Sequence, residues 1–473
     1  MLPSSQSLVL LGLVASFASA GTLSVPFHRR HGQLSASPLS PILRRDRSVN
    51  IEAINNITGG GYYAELGIGT PPQNMAFLLD TGSSDTWVNS VTTDLCNSFE
   101  QQARTQTWCQ RPFNPSSSST YSLVARGGFD ITYLDQKNIE GDYFNDTVTI
   151  GDKQVHGQQL GLAIKSTRQS GIMGLGFRAN VASHTAYPTI VDNMVEQGVI
   201  NAPIFSLFLD NIDDKSGTIL FGGIDSQKYH GKLATLPIMY NPQQTVSRNI
   251  TSYMVRLRGF NVDGVDLDRL DAGAILDSGS TISLMPDSQV QDIYRHFGVR
   301  TVEGIPTPLV DCAYRDAQAR GITFNFKFDG KTIQVPIKEM VIDAFPDDIQ
   351  RLLTASQLAA LFRNWSRVCI FGIGSTYDYG ITSDSFALLG DTFLRSAYVV
   401  YDMGNHQIGL AQANVKSDGS NIIEISKDAT ELPNVEGVPG TGQENAARPI
   451  GPSSIGVLVA AALTIAAAIA APL

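Results

Sequence analysis

Residues 76–84 read Ala76-Phe77-Leu78-Leu79-Asp80-Thr81-Gly82-Ser83-Ser84, an apolar run that ends in a carboxylate, a hydroxyl and a glycine. The second half of the chain repeats that order in residues 273–281, which read Gly273-Ala274-Ile275-Leu276-Asp277-Ser278-Gly279-Ser280-Thr281. One copy alone is ordinary turn chemistry, because Asp and Ser side chains bond to neighbouring amides and Gly accepts unusual backbone angles. Two copies with matching flanks indicate a duplicated unit whose Asp-bearing turns could face each other.

A second landmark follows each of these turns. Residues 170–176 read Ser170-Gly171-Ile172-Met173-Gly174-Leu175-Gly176, and residues 386–391 read Phe386-Ala387-Leu388-Leu389-Gly390-Asp391. In both segments an apolar pair is closed by Gly. The two halves of the chain therefore carry the same two landmarks in the same order.

These motifs, together with residues 61–73, 389–395 and 399–402, resemble the pepsin-like aspartic peptidases over about residues 62–411. The resemblance implies a mostly β, bilobal fold in which two duplicated β lobes enclose the active-site cleft. The strand-like texture of segments such as 62–68, 75–79 and 143–150 agrees with this expectation. Helical periodicity is confined to a few segments, of which 189–197, 288–297 and 346–362 are the best candidates.

The resemblance also implies a role for each residue of the two Asp turns. Asp80 and Asp277 are the expected catalytic pair, and the expected supporting residues are Thr81, Gly82, Ser83, Ser278, Gly279 and Ser280. The hydroxyls of Thr81 and Ser278 would hold the turns together, while the two glycines let the backbone pass close to the carboxylates. Ser83 and Ser280 can donate to carboxylate oxygens, which favours the ionised form.

Two carboxylates are sufficient for peptide hydrolysis, so we expect neither a cofactor nor a metal. One carboxylate activates water as a base, and the other protonates the carbonyl oxygen as an acid. Like charges at close range cannot both ionise easily, so the pair titrates in two separate steps. Activity should therefore fall as rising pH removes the shared proton.

A cleft of this kind needs a lid that excludes water and grips an extended peptide. The candidate is a hairpin around residues 129–135, where alternation places Phe129, Ile131 and Tyr133 on one face. Tyr133 resembles the flap tyrosine of the family, and Trp87 resembles the tryptophan whose ring nitrogen bonds to it. Asp135 belongs to the same flap. Leu134 and Gln136 stand where many relatives carry Gly, which predicts a stiffer flap.

Four cysteines are present, and none has the paired spacing of a zinc site. Pairing in chain order closes one loop in each half and lets each lobe fold alone. We therefore expect disulfides between Cys96 and Cys109 and between Cys312 and Cys369, as the family also pairs its lobe cysteines.

The formal net charge of −10 argues against nucleic acid and anionic lipid as partners. We expect peptide or protein substrates and a monomer. A different class of function, an aspartic-protease-like glycoprotein that binds peptides or cell-wall components without cutting them, stays open, although the intact Asp turns in both halves favour the enzyme.

The flanking segments predict a secreted protein with a surface anchor. Residues 1–20 form an apolar segment that ends in a signal-peptidase pattern. A basic propeptide covers 21–45 and closes at a dibasic site, the two lobes cover 46–225 and 226–415, and a polar flexible linker covers 416–445. Residues 446–473 fit a glycosylphosphatidylinositol (GPI) anchor signal that is removed after attachment at Asn445, and a retained membrane-spanning helix is the less favoured alternative.

Four sequons without proline predict surface glycans, at Asn56, Asn145, Asn249 and Asn364. The anchor signal and the cysteine layout resemble fungal yapsin-like enzymes. That resemblance implies a preference for basic residues in substrates.

Overall fold

The computed structural model describes residues 21–30, 61–105, 107–213, 216–240, 249–262, 265–266, 270–302, 305–316, 321–355 and 357–440. Within these ranges the chain is mostly β, as the sequence predicts.

The strands of the first half are β1 (Leu23–Arg30), β2 (Gly61–Ile68), β3 (Gln73–Asp80), β4 (Trp87–Asn89), β5 (Ser122–Thr132), β6 (Asn138–Ile150), β7 (Lys153–Lys165), β8 (Gly171–Gly174), β9 (Ile204–Phe208), β10 (Ser216–Phe221) and β11 (Gly223–Asp225). Those of the second half are β12 (Tyr229–Pro237), β13 (Met254–Val262), β14 (Val265–Asp266), β15 (Ala272–Leu276), β16 (Ser283–Met285), β17 (Arg300–Val302), β18 (Ile305–Asp311), β19 (Thr323–Phe328), β20 (Lys331–Pro336), β21 (Val341–Ile342), β22 (Val368–Phe371), β23 (Ile373–Ser375), β24 (Phe386–Leu389), β25 (Ala397–Asp402), β26 (Gln407–Ala413) and β27 (Ile422–Glu424).

The α-helices are α1 (Asp94–Asn97), α2 (Phe99–Thr105), α3 (Ile190–Glu196), α4 (Asp287–Phe297), α5 (Asp347–Ala355) and α6 (Asp391–Leu394). Short 3-10 turns occupy Pro115–Ser117, Arg178–Asn180, Ser226–Lys228, Cys312–Arg315, Ile337–Met340, Gln357–Ala360 and Thr376–Tyr379. Helices α3, α4 and α5 lie in the three segments with helical periodicity. The third segment is divided, because α5 ends at Ala355 and a 3-10 turn follows.

The duplication is visible in the strand pairing. In the first half β3 pairs in parallel with β8, and β4 pairs antiparallel with β8. In the second half β15 pairs in parallel with β24, and β16 pairs antiparallel with β24. Each Asp turn thus joins the two strands that flank the apolar pair of the second landmark.

A continuous path of strands joins the two halves. It runs in the order β12-β26-β25-β9-β10-β1-β2-β3-β8-β4-β7-β6-β5, so strands from both ends of the chain lie side by side. A second sheet, β20-β19-β13-β15-β24-β16-β23, belongs to the second half. The lobes predicted as 46–225 and 226–415 therefore share one sheet at their junction, where β9 pairs with β25.

Strand β1 falls in the predicted propeptide and lies inside the shared sheet. It pairs with β10 over six residue pairs and with β2 over three. Phe27 is fully buried and packs edge-to-face on Tyr62, with ring centroids 5.2 Å apart.

An aromatic cluster forms the core beneath the two Asp turns. The Phe205 and Tyr401 rings stack with centroids 4.7 Å apart, and Tyr253 meets Tyr401 edge-to-face at the same distance. The Tyr253 hydroxyl donates to the carbonyl of Leu175, 2.6 Å away. These rings bury a large apolar area while their hydroxyls reach backbone acceptors, which gives the turns a rigid base.

The segment 416–445, predicted as a flexible linker, needs correction over its described part, residues 416–440. Strand β27 pairs antiparallel with β11, and Ile425 and Leu432 are buried in a cluster with Tyr229 and Tyr398. A few apolar side chains and one short strand therefore dock this segment, although its composition is polar.

Among the described residues, no helix combines the length and the apolar character that crossing a membrane requires.

Candidate active site

The two Asp turns leave the ends of matching strands. Asp80 is the last residue of β3, and its carbonyl accepts from the amide of Leu175, 2.9 Å away. Asp277 follows β15, and its amide donates to the carbonyl of Leu389 at 3.0 Å. Each turn is therefore anchored on the second landmark of its own half.

Thr81 and Ser278 bind the turns to each other. The Thr81 hydroxyl donates to the carbonyl of Leu276 (2.8 Å) and accepts from the amide of Ser278 (2.9 Å). The Ser278 hydroxyl donates to the carbonyl of Leu79 (2.9 Å) and accepts from the amide of Thr81 (3.2 Å). Both side chains are buried, so these four bonds fix the separation of the turns.

Each carboxylate accepts two hydrogen bonds from its own turn, one from a backbone amide and one from a serine hydroxyl. The bonds run from Gly82 N to Asp80 Oδ1 (2.8 Å), Ser83 Oγ to Asp80 Oδ2 (2.5 Å), Gly279 N to Asp277 Oδ1 (2.8 Å) and Ser280 Oγ to Asp277 Oδ2 (2.7 Å). The expected supporting residues therefore all contact either a carboxylate or the opposite turn.

The glycines let the two carboxylates face each other. A Cβ atom on Gly82 would lie 2.6 Å from Asp277 Oδ1, and one on Gly279 would lie still closer to Asp80 Oδ1. Any larger residue at either position would push the opposite carboxylate away.

The dyad is buried and electrostatically coupled. Asp80 is 5% exposed and Asp277 is 7% exposed. Burial and the neighbouring Asp80 carboxylate raise the pKa of Asp277 well above its ordinary value, against the opposing effect of its bonds from Ser280 and Gly279. Chemically, the pair can hold one proton where an isolated carboxylate would have released it.

The predicted flap is the β5–β6 hairpin, and Tyr133 and Asp135 lie in the turn that joins its two strands. Trp87 Nε1 donates to the Tyr133 hydroxyl at 2.7 Å, as expected from the resemblance. Burial and the nearby Asp80 carboxylate raise the pKa of Tyr133, which keeps this hydroxyl protonated. Gln136 adopts a left-handed conformation, with φ of 62°.

Asp135, at the flap tip, has a partner that the sequence did not indicate. Arg168 Nη2 donates to both carboxylate oxygens, each at 3.1 Å, and the guanidinium carbon lies 4.5 Å from the centroid of the Tyr133 ring. No local pattern could have revealed this contact, because Arg168 lies in the loop after β7 and meets the flap only in the folded chain.

Asp85 is a second buried group that the sequence reasoning missed. It accepts from the Tyr143 hydroxyl (2.8 Å), the Tyr187 hydroxyl (2.6 Å) and the amide of Ala182 (2.7 Å). Burial raises its pKa. The only signal was its position directly after the first Asp turn, where an Asp usually serves as a turn residue.

Asp391, in the second repeated landmark, is buried beneath the site. Burial raises its pKa well above the ordinary value, opposed by the nearby cations of Arg395 and Arg29. Arg395 is fully buried, and its Nε donates to Glu339 Oε2 at 2.5 Å. The amide of Asp391 donates to the carbonyl of Ser280 (2.8 Å), so this buried ionic cluster lies against the second Asp turn.

Both predicted disulfides are confirmed. Cys96 pairs with Cys109, and Cys312 pairs with Cys369, which places one bridge in each half. Among the described residues, one group with metal-ligand proximity consists of Cys312, Asp343 and Cys369. Its two cysteines are disulfide-bonded, so it offers no thiolate for a metal.

The sequons and terminal signals are only partly covered by the structure. Asn249 and Asn364 are exposed, and Asn145 is partly buried within β6. Asn56, Asn445, the signal segment 1–20 and the anchor signal 446–473 lie outside the described residues.

The chain is similar to known proteins over most of its length. The profile of the family described as "Eukaryotic aspartyl protease" matches residues 61–413. The "Probable aspartic-type endopeptidase opsB" of Aspergillus oryzae is 34% identical over 449 residues, which cover 90% of this chain and 85% of that protein. An "Acid protease" of Saccharomycopsis fibuligera is 31% identical, covering 74% and 80% of the respective chains. "Secreted aspartic protease 8" of Candida albicans is 29% identical, covering 76% and 78%.

The profile match spans both Asp turns, both repeated landmarks and the flap. The chain belongs to the eukaryotic aspartyl protease family and is an aspartic endopeptidase.

Proposed function

We propose that this endopeptidase hydrolyses peptide bonds at acid pH through a water molecule activated by Asp80 and Asp277. The observation that carries the proposal is the buried, face-to-face pair in which the pKa of Asp277 is raised. One carboxylate of such a pair stays protonated in conditions where the other serves as a base.

The proton balance of the reaction follows from this assignment. Asp80 accepts a proton from the attacking water as the water oxygen bonds to the peptide carbon, and Asp277 donates its proton to the carbonyl oxygen. Collapse of the tetrahedral intermediate breaks the carbon–nitrogen bond, and the proton taken from water passes to the leaving nitrogen. As the intermediate collapses, one of the two hydroxyls on its carbon returns a proton to Asp277. The two carboxyl groups therefore end with the single proton with which they began.

An extended peptide or protein segment is the proposed substrate. Tyr133 of the flap hairpin packs against a cluster that also contacts Ala76. Ala76 lines a cavity of about 300 Å³ together with Glu65, Gln110 and Arg111. This cavity has one acidic and one basic group at its wall, so it can take a polar side chain.

The test is digestion of a denatured protein at acid pH by the purified, processed enzyme. We expect cleavage that a pepstatin-type inhibitor stops and that Asp80→Asn or Asp277→Asn abolishes. Asp418→Asn, which changes an exposed carboxylate of the docked segment, is the matched control and should cleave normally. Cleavage undiminished in both dyad variants would overturn the proposal.

For location, we propose export through the signal at 1–20, activation by removal of the propeptide 21–45 and GPI anchoring at Asn445 on the outer face of the cell membrane. Support comes from the sequence patterns and from the relative named as a secreted protease. Phosphatidylinositol-specific phospholipase C should release the protein from membranes. Retention after a treatment that releases a known anchored protein would contradict the anchor.

A further inference from the structure

Arg168 lies outside the two Asp turns and contacts the flap at two points. Its guanidinium donates to both oxygens of Asp135 and also lies over the ring of Tyr133. Tyr133 and Asp135 flank Leu134 in the sequence. The Arg168 side chain therefore contacts the flap turn on both sides of Leu134.

The backbone of Arg168 is itself fixed to the body of the lobe. Asn89 Nδ2 donates to its carbonyl (2.9 Å), and its amide donates to the hydroxyl of Ser166 (3.0 Å). Ser166 in turn donates its amide to Asp94 Oδ1 at 2.9 Å. The guanidinium is therefore presented from a rigid base.

The flap tip needs such a support. Its turn is closed by a bond from the Gln136 amide to the Tyr133 carbonyl (2.9 Å), and Gln136 is held in a left-handed conformation that side chains disfavour. Lys137 donates its amide to Asp135 Oδ1 (3.2 Å), so the carboxylate that Arg168 holds also orders the turn.

We propose that Arg168 is a positioning residue that latches the flap tip over the catalytic pair before substrate binds. The latch consists of the Arg168–Asp135 ion pair and the stacking of Arg168 on Tyr133, and its role in catalysis rests on the proposed function. It acts through Tyr133 and Asp135 and touches no reacting atom.

Exposure separates this ion pair from ordinary surface pairs. The Arg168 and Asp135 side chains are 23% and 26% exposed. Lys165 and Glu140, in the same β6–β7 sheet, pair at 2.7 Å but are 65% and 45% exposed. Exposed pairs contribute little to stability, whereas a partly buried guanidinium that bonds both carboxylate oxygens through Nη2 and also lies over an aromatic ring contributes more. The Lys165–Glu140 pair is therefore a matched control.

Loss of the latch should raise KM without lowering kcat in proportion. If the flap opens in the free enzyme, the apparent affinity falls by the fraction of molecules that remain closed, while bound substrate still closes the flap. For Arg168→Ala we expect KM to rise about five- to tenfold and kcat to stay within about twofold. Asp135→Asn should raise KM less, because the stacking on Tyr133 remains, and Lys165→Ala should leave both constants unchanged.

A double-mutant cycle tests whether the two residues act as one unit. The rise in KM for Arg168→Ala combined with Asp135→Asn should be well below the product of the single effects. The latch would be overturned if the KM of the double variant rose by the full product of the two single increases. It would also be overturned if Arg168→Ala had the same KM as Lys165→Ala.

Hydrogen exchange of the substrate-free protein gives a readout that needs no activity. Amides of residues 133–138 should exchange faster in Arg168→Ala than in the wild type or Lys165→Ala, with thermal midpoints alike. Unchanged exchange contradicts the latch even in an active enzyme. Faster exchange in a protein that cuts no peptide supports the latch and contradicts the proposed function, so the two failures are distinguishable.

Discussion

Thr81 and Ser278 form a reciprocal link in which the hydroxyl of each accepts the backbone amide of the other, at 2.9 and 3.2 Å. The same hydroxyls donate to Leu276 and Leu79, the residues that precede the opposite Asp. The distance between the two carboxylates is therefore set by side chains adjacent to them in sequence.

Thr81→Val should keep the shape of the site but break this link. The amide of Ser278 and the carbonyl of Leu276 would each lose a buried partner, so we expect a loss of about 1–3 kcal/mol in the free energy of unfolding. Activity should fall at least tenfold, because the turns can separate. Denaturant unfolding and kcat/KM check this, with the exposed Thr235→Val as control. Wild-type activity in Thr81→Val would show that the link does not set the dyad.

Stability should depend on pH through Asp277. Below the ordinary carboxyl pKa both folded and unfolded states hold the proton, and the contribution of Asp277 to stability is complete. As pH rises, the unfolded chain releases the proton first, so this contribution is lost up to and through the raised folded pKa. Asp277→Asn cannot ionise, so it should be inactive yet more thermostable than the wild type near neutral pH.

The gap in thermal midpoint between Asp277→Asn and the wild type should close at acid pH. Thermal unfolding across the pH range measures this, with Asp418→Asn following the wild type throughout. A gap that is constant with pH would mean that the raised pKa is not the source. Activity of the wild type should fall over the same range as the proton is lost.

Asp85→Ala should destabilise the lobe that carries the flap. The hydroxyls of Tyr143 and Tyr187 would remain buried without their acceptor, for a loss of about 2–5 kcal/mol. Denaturant unfolding measures it, and Asp152→Ala, which removes a carboxylate that is 78% exposed, is the control. A loss no larger than that of the control would rule out Asp85 as an anchor.

The two disulfides should differ in their contribution to stability. Cys312–Cys369 spans 57 residues and Cys96–Cys109 spans 13. Loop-closure entropy then gives about 4 and 3 kcal/mol respectively. Cys369 is also fully buried, so replacing the longer bridge by alanines leaves a cavity as well. Denaturant midpoints of the two double-alanine variants should show the larger loss for Cys312 and Cys369; the reverse order would contradict the loop-length argument.

Much of the site could be predicted because its signals are local. Asp80 and Asp277 each stand within a short motif, and the motif occurs twice, so the repetition itself indicated the pairing. Tyr133 and Trp87 were placed by resemblance. The disulfide pairing was predicted because pairing in chain order closes one loop in each half and lets each lobe fold alone, as in the family that the sequence resembles.

The sequence by itself indicated the paired Asp turns and the mostly β class, because turn chemistry and strand alternation act between near neighbours. The roles of the turn residues and of the flap came from the resemblance to a known family. Only the tertiary structure decided the partner of Asp135, the burial of Asp85, the place of β1 inside the shared sheet and the docking of residues 416–440. Each of these depends on a contact between segments far apart in the chain. Such contacts follow from how the sheets pack, and neither local composition nor periodicity carries that information.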